Sequence, residues 1–187
     1  MGQIWFVTGG ARSGKSSYAE RLAASLGTLV TYIATLEPLD GEMRARIARH
    51  QVQRPAAWRT IEAPRTPLAA ARSAEAGDTI LLDCLSLWVS NRLLDLRDEA
   101  PSPADVDALE ISLVSENRAL LECLALREGT SVIVSNEVGS GLVPEYALGR
   151  AYRDLLGRIN QQVSETAERA WLLVAGRALE LPPVEDR

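Results

Sequence analysis

The densest chemistry in this chain lies in Gly9-Gly10-Ala11-Arg12-Ser13-Gly14-Lys15-Ser16. The run fits G-x-x-x-x-G-K-[ST], the pattern of a loop that wraps phosphates. Glycines let successive backbone N–H groups turn inward around an anion, and a following helix points its positive end at the same place. Lys15 would then reach the β- and γ-phosphates of a nucleoside triphosphate, and the Ser16 hydroxyl would ligate Mg²⁺. A second signal is Thr79-Ile80-Leu81-Leu82-Asp83, an apolar run ending in a carboxylate, the form that brings an aspartate to the cation held by Ser16. The third is His50, the only histidine. A neutral imidazole, with a reference pKa of about 6.5, is a competent nucleophile near neutral pH. Arg44, Arg46, Arg49 and Arg54 surround it with guanidinium forks that match phosphate oxygens. The plain structural reading of His50 is a helix-end histidine half-packed beside Ile47.

Secondary structure must bring these groups together. Ile4-Trp5-Phe6-Val7 is a β-rich run before the glycine loop, and Ser17 to Leu26 has helical spacing behind it. Thr28 to Ala34 is a second strand, left by the loop Thr35-Leu36-Glu37-Pro38-Leu39. A charged helix follows from Glu42 to about Val52, with Met43, Ile47 and His50 on one face. Trp58 to Ile61 is a third strand. Thr66 then caps and Pro67 opens a helix that runs towards Gly77. After the strand ending at Asp83, Leu85 to Leu94 is helical and 95–107 is an acidic, proline-bearing loop. A cap at Asp105 or Asp107 begins a long helix to about Arg127, with Leu109, Leu113, Leu120 and Leu124 facing inward and Gly129 stopping it. Ser131 to Ser135 is a buried strand, followed by a loop from Asn136 to Glu145. A last helix runs to about Glu168, Trp171 to Ala175 is the final strand, and the rest is tail. Six strand-like runs alternating with helices predict an α/β fold with a mostly parallel sheet flanked by helices, a single domain over residues 1–187.

Composition narrows the function. The chain has 187 residues, 47% of them hydrophobic and 24% charged, with a net charge of −5. That balance belongs to a globular protein and argues against a general nucleic-acid binder or a membrane-surface protein. No apolar run is long enough to span a bilayer and no signal peptide opens the chain, so the expected location is cytoplasmic. Cys84 and Cys123 have neither metal spacing nor a disulfide framework and are expected as small buried side chains.

A P-loop names a triphosphate, not a reaction. The absence of an N-K-x-D motif excludes a switch GTPase. More specific are T-G-G-A-R-S-G-K-S at Thr8 to Ser16, R-x-x-x-H at Arg46 and His50, R-P-x-x-W-R-T at Arg54 to Thr60, and N-E-V-G-x-G-x-V-P-E at Asn136 to Glu145. Together, and in order along essentially the whole chain, these resemble the bifunctional adenosylcobinamide kinase/adenosylcobinamide-phosphate guanylyltransferases of cobalamin biosynthesis. The resemblance implies a RecA-like P-loop NTPase fold assembled as a homotrimer. It implies phosphorylation of adenosylcobinamide by a nucleoside triphosphate (GTP or ATP, with Mg²⁺), then guanylylation of a histidine by GTP and transfer of GMP to adenosylcobinamide phosphate. His50 matches the guanylylated position. Ala34, Thr35 and Leu36 match a nucleotide-contacting loop, and Arg54 and Glu62 match positions near the guanine nucleotide. Asn136 and Glu137 orient substrate or metal, or cap the turn before the next helix, and Arg12 contacts phosphate or another subunit. The competing readings are a P-loop kinase of another small alcohol and a RecA-like regulatory ATPase; neither forms a covalent nucleotide on the protein.

Overall fold

The structure, a computed structural model, describes residues 2–37, 55–96 and 100–184. In chain order its elements are β1 (Gln3–Gly9), α1 (Lys15–Ser25), β2 (Val30–Ala34), β3 (Arg59–Glu62), α2 (Pro67–Arg72), β4 (Thr79–Asp83) and α3 (Leu85–Leu94). Then follow α4 (Pro103–Leu126), β5 (Thr130–Asn136), α5 (Ala147–Thr166), β6 (Arg169–Val174) and β7 (Arg177–Leu181). The helix expected over 42–52, with His50 and Arg54 beside it, lies outside the described residues.

The strands form one seven-stranded sheet in the order β3-β2-β4-β5-β1-β6-β7. All neighbours are parallel except β6 and β7. Strand alternation divides the core in two. Ile4, Phe6, Ile33, Ile80, Leu82 and Ile133 pack against α2, α3, α4 and α5 on one face. Val7, Tyr32, Leu81, Val132, Val134 and Leu173 face the other side, where α1 supplies Ala19 and Ala23. Covering both faces is why the inner strands are almost continuously apolar instead of alternating. Leu109, Leu113, Leu120 and Leu124 of α4 are all buried, as their spacing predicts. At the β6 end, Trp171 meets Trp5 edge-on at 5.8 Å, and the Arg169 guanidinium lies 4.7 Å from the Trp171 ring centre.

Four local expectations change. The chain has a seventh strand, because Ala175 (φ 50°) and Gly176 (φ 80°) form a two-residue hairpin turn that folds β7 back on β6. Such a turn needs positive φ at both positions and is normally signalled by Asn-Gly or Asp-Gly, which Ala-Gly is not. Helix α2 stops at Arg72 instead of running towards Gly77. There the Ser73 hydroxyl donates back to the Ala70 carbonyl at 2.9 Å, and Arg127 from the end of α4 donates to the carbonyls of Glu75 and Asp78. Finally, α4 is capped by Ser102, whose Oγ accepts from the Asp105 N–H at 3.2 Å; Asp105 is the first-turn acid of the motif, not its cap. The Thr66 side chain makes no capping bond at α2.

The two helix starts give a matched test. Ser102→Ala should cost about 1 kcal/mol of stability, the usual value of a satisfied N-cap. Thr66→Ala, at an exposed site with no cap bond, should change stability by less than about 0.5 kcal/mol. Urea unfolding midpoints of the two variants check the pair; equal losses would contradict the capping assignment.

Candidate active site

Parallel strands place all their carboxyl ends on one edge, and the site is built along it. Residue pairing fixes the arrangement. Glu62 of β3 stands opposite Ala34 of β2, Ala34 opposite Asp83 of β4, Asp83 opposite Val134 of β5, and Asn136 of β5 opposite Gly9 of β1. One strand, β5, separates β4 from β1. At a spacing of about 4.8 Å per strand, the Asp83 strand end is therefore about 10 Å from the strand that launches the glycine loop.

The loop is held from three sides. Its start is fixed where the Glu137 N–H donates to the Gly9 carbonyl at 3.0 Å. A Cβ on residue 9 would stand 2.6 Å from the Leu173 carbonyl oxygen, so the close approach of β6 demands glycine there. The far side is held by the β6–β7 turn, where the Gly176 N–H donates to the Ser13 carbonyl at 2.9 Å. Gly14 then enters α1 at φ 90°, a conformation that disfavours any side chain. No side chain caps α1, and its first turn carries no acid. The leading N–H groups of the helix are left for an external acceptor, which is the physical definition of an anion site. The Lys15 ammonium donates to the Gly10 carbonyl at 3.2 Å, folded over the loop it would share with a phosphate. Gly10, Ala11 and Arg12 are exposed on the outside of the turn, Arg12 with φ 55°. Ser13 is buried, and its Oγ has no hydrogen-bond partner.

Asp83 ends its strand half-buried, and the Tyr32 hydroxyl donates to its Oδ2 at 2.9 Å. Next to it the Cys84 thiol is fully enclosed. Burial, followed by the Asp83 carboxylate, pushes its pKa up to about 11, against smaller opposing effects from the Ser86 hydroxyl and the Lys15 charge. The same thiol thus feels Asp83 and Lys15 together, and it is buried, as expected from sequence, while Cys123 is only half-buried. Ser16, in the first turn of α1, and Asp83 offer a hydroxyl and a carboxylate. No group of three or more His, Cys, Asp or Glu capable of holding a metal exists among the described residues. Hard oxygen donors in small number suit Mg²⁺, which keeps several waters and shares phosphate oxygens with its nucleotide.

Several groups that organise this edge are not legible as motifs. Thr35 is buried. Its hydroxyl donates to the Cys84 carbonyl at 2.6 Å and accepts from the Cys84 N–H at 2.8 Å. Its carbonyl accepts from the Asn91 amide, which also donates to the Pro64 carbonyl, both at 2.9 Å. The side chain expected in a nucleotide-contacting loop is thus spent on joining the ends of β2 and β4, while Ala34 and Leu36 are half-buried beside it. Arg65 grips Asp95 with both carboxylate oxygens and Glu37 with one, at 2.9 to 3.0 Å, pinning the loop after β2 to the end of α3. These bonds push its pKa still higher, Asp95 first and then Glu37. Glu62 is exposed at the outer strand end. Asn136 carries a bond from the Asn160 amide to its carbonyl at 2.9 Å. The Tyr152 hydroxyl donates to the Ser86 carbonyl at 3.3 Å and is pushed up to about 12, chiefly by burial. The bonds these side chains make lie beyond the short range of sequence signals: each joins residues more than twenty positions apart.

The Thr35 clamp has a measurable value. Thr35→Val preserves shape but leaves the buried Cys84 N–H without an acceptor, a loss of about 1–3 kcal/mol. Thr35→Ser, which keeps the hydroxyl, should recover most of it. Thermal or denaturant unfolding of the two variants checks this, and equal stability would remove the clamp from the account.

Among the described residues no helix is long and apolar enough to cross a membrane. The architecture is that of P-loop ATPases. A prototypical ATPase from the type III secretion system of pathogenic bacteria superposes with a TM-score of 0.52 over 92% of this chain, at 15% identity. The chain spans about half, 51%, of the length of that protein, and the likeness speaks for the RecA-like fold alone. Sequence relatives are far nearer. The bifunctional adenosylcobalamin biosynthesis protein CobP of Pseudomonas aeruginosa is 47% identical over 176 residues, 94% of this chain and 95% of its own. The CobU proteins of Salmonella typhimurium and Escherichia coli, named in the same words, are 43% and 41% identical, each over 91% of this chain and 94% of theirs. The family model described as cobinamide kinase / cobinamide phosphate guanyltransferase matches residues 5–181. With the family model matching residues 5–181 and relatives 41–47% identical over more than nine-tenths of its length, this chain belongs to the cobinamide kinase/cobinamide phosphate guanyltransferase family of enzymes.

Proposed function

We propose that this protein carries out two successive transfers at one nucleotide edge. A nucleoside triphosphate, GTP or ATP, first phosphorylates the hydroxyl on the aminopropanol arm of adenosylcobinamide. GTP then guanylylates His50, and the GMP passes to the new phosphate to give adenosylcobinamide-GDP. The observation that carries this reading is the convergence of the glycine loop, Lys15 and Asp83 on one sheet edge in a chain of this family.

In the first step the loop from Gly9 to Ser16 wraps the phosphates with backbone N–H groups, and Lys15 leaves the Gly10 carbonyl for the β- and γ-phosphate oxygens. Charge builds on those oxygens as the phosphoryl group moves, so fixed donors stabilise the transition state more than the ground state. One such donor is typically worth about 100- to 1,000-fold in rate. Ser16 and Asp83 would hold Mg²⁺, which supplies charge neutralisation across the phosphates. Tyr32 keeps the Asp83 carboxylate turned towards the edge. No protein nucleophile is needed here.

The second step needs one. An imidazole nitrogen of His50 attacks the α-phosphorus of GTP; a P–N bond forms as the P–O bond to pyrophosphate breaks. A phosphate oxygen of adenosylcobinamide phosphate then attacks the same phosphorus, the P–N bond breaks, and the imidazole returns. His50 and Arg54 lie outside the described residues, and their roles rest on motif order and on the single histidine. Arg54 and Glu62 are assigned to the guanine nucleotide, and Ala34 and Leu36 to the nucleotide through the backbone. One catalytic domain over residues 1–187, a homotrimer and a cytoplasmic location complete the proposal.

Two measurements test it. Asp83→Asn keeps shape and removes charge, so the Mg²⁺ concentration for half-maximal kinase activity should rise about tenfold or more, the scale on which metal-site changes act. An unchanged Mg²⁺ titration would move the metal role to another carboxylate, Glu137 first.

With GTP labelled at the α-phosphate, the wild-type protein should take up an acid-labile label, and His50→Asn should take up none. The variant should still form adenosylcobinamide phosphate while making no adenosylcobinamide-GDP. Label on the variant, or undiminished adenosylcobinamide-GDP formation, would overturn the covalent route.

A further inference from the structure

The loop between β5 and α5 shows an unusual combination: it is tightly held, yet it turns large apolar side chains to solvent. Leu142 is 97% exposed, Val143 66% and Tyr146 68%. Beneath them the backbone is pinned from α5. Arg153 donates to the Gly139 carbonyl at 2.6 Å, and Arg150 donates to the carbonyls of Pro144 and Glu145 at 3.1 and 2.5 Å. The Glu137 carboxylate accepts from the Gly139 N–H within the same loop. Gly149 leaves room for the Tyr146 ring and Pro144, which a Cβ there would meet at 2.7 and 2.9 Å. Burying such side chains is worth about 1.5–3 kcal/mol each, so holding them in water is costly unless something covers them.

Position says what that something is. The loop leaves β5 at Asn136, which pairs with Gly9, and its next residue bonds the Gly9 carbonyl. It therefore starts directly beside the glycine loop, at the sheet edge where the proposed transfers take place. A stable contact between protein chains needs about 800 Å² per partner and some 20–30 residues, more than the ten residues from Glu137 to Tyr146 supply, so the contacts of a trimer must rest mainly on other surfaces. A flat ligand with an apolar face matches this patch better. The Nη1 of Arg153, buried and without a hydrogen-bond partner, is a spare donor for an amide carbonyl next to the loop.

We propose that Leu142, Val143 and Tyr146 form the seat of the corrin ring of the acceptor, a platform that holds the macrocycle while its arm reaches the P-loop. This rests on the reading of the acceptor as a cobinamide given above. The apolar side chains pack on the ring face, and the pinned backbone keeps the platform in place between the two transfers, so one seat serves both acceptors.

The test uses the whole protein and adenosylcobinamide as the probe, with binding followed by equilibrium dialysis and the corrinoid's visible absorption. Leu142→Glu/Val143→Glu should raise the Kd for adenosylcobinamide, and its KM in the kinase reaction, at least tenfold. GTP affinity, histidine labelling by α-labelled GTP and sedimentation should match wild type. Tyr146→Phe should keep corrinoid affinity and Tyr146→Ala should lose it, because the ring face and not the hydroxyl makes the contact. Wild-type corrinoid affinity in Leu142→Glu/Val143→Glu would overturn the platform while leaving the functional reading intact. A change in sedimentation with unchanged corrinoid affinity would overturn it too, making the loop an interface between copies. Wild-type protein that neither binds nor phosphorylates adenosylcobinamide would instead sink the functional reading, and the platform with it.

Discussion

The position of β1 between β5 and β6, hydrogen-bonded on both sides along nearly its whole length, is the constraint on which the rest of this molecule depends. A strand paired on one side could bend to suit its loop; one paired on both cannot. Gly9 is therefore delivered to a fixed place, and the glycine loop must leave it through a gap that admits no side chain at that residue. The fixed start, the Gly14 entry into α1 and the clip from the β6–β7 turn set the loop's shape before any nucleotide arrives. Preorganisation of this kind is what makes backbone N–H groups useful in catalysis. Their orientation is maintained by the fold, so little reorganisation is left for the reaction itself.

The same principle extends across the edge by other means. Asp83 and the residues after β2 lie at strand ends, where ladder hydrogen bonds run out. The structure replaces them with side-chain clamps: Thr35 on both backbone groups of Cys84, Asn91 on the carbonyls of Thr35 and Pro64, and Tyr32 on Asp83 itself. Arg65, shared between Asp95 and Glu37, closes the outer end. Most of these side chains belong to neighbouring elements, so the rigidity of the edge is a product of packing and not of the loops themselves.

The two faces of the sheet divide the labour. Four helices, α2 to α5, bury one side and supply most of the apolar core. Among the described residues α1 is the main helix on the other, with Leu87 of α3 also packed there, and it is also the helix into which the glycine loop leads. The loop after β5 is tied to the first group of helices through Arg150 and Arg153 of α5, and the glycine loop runs directly into α1. In the proposed reaction, nucleotide and acceptor would thus be presented by loops backed by opposite faces of the sheet, next to each other where β1 and β5 pair.

The sequence by itself determined the strand-loop-helix of residues 3–25, the buried strand that ends at Asp83, the parallel α/β class and the family. The elements and motifs behind these are each local, because glycine freedom, apolar runs and helical spacing are local properties; class and family follow from their order along the chain. It also left His50 as the single histidine available for covalent chemistry, a matter of composition alone. The β6–β7 hairpin was out of reach. Ala175 carries no turn signal of its own, and its positive φ is imposed by β7 docking along β6, with the bond from Gly176 to Ser13 tying the turn to the P-loop. Thr35 looked like a ligand contact and is a clamp, since only the register of β2 against β4 brings it to Cys84. The exposure of Leu142, Val143 and Tyr146 likewise belongs to the tertiary structure. A run of apolar residues in a loop says nothing about whether they face core or water until the helix that follows is placed and its arginines fix the backbone.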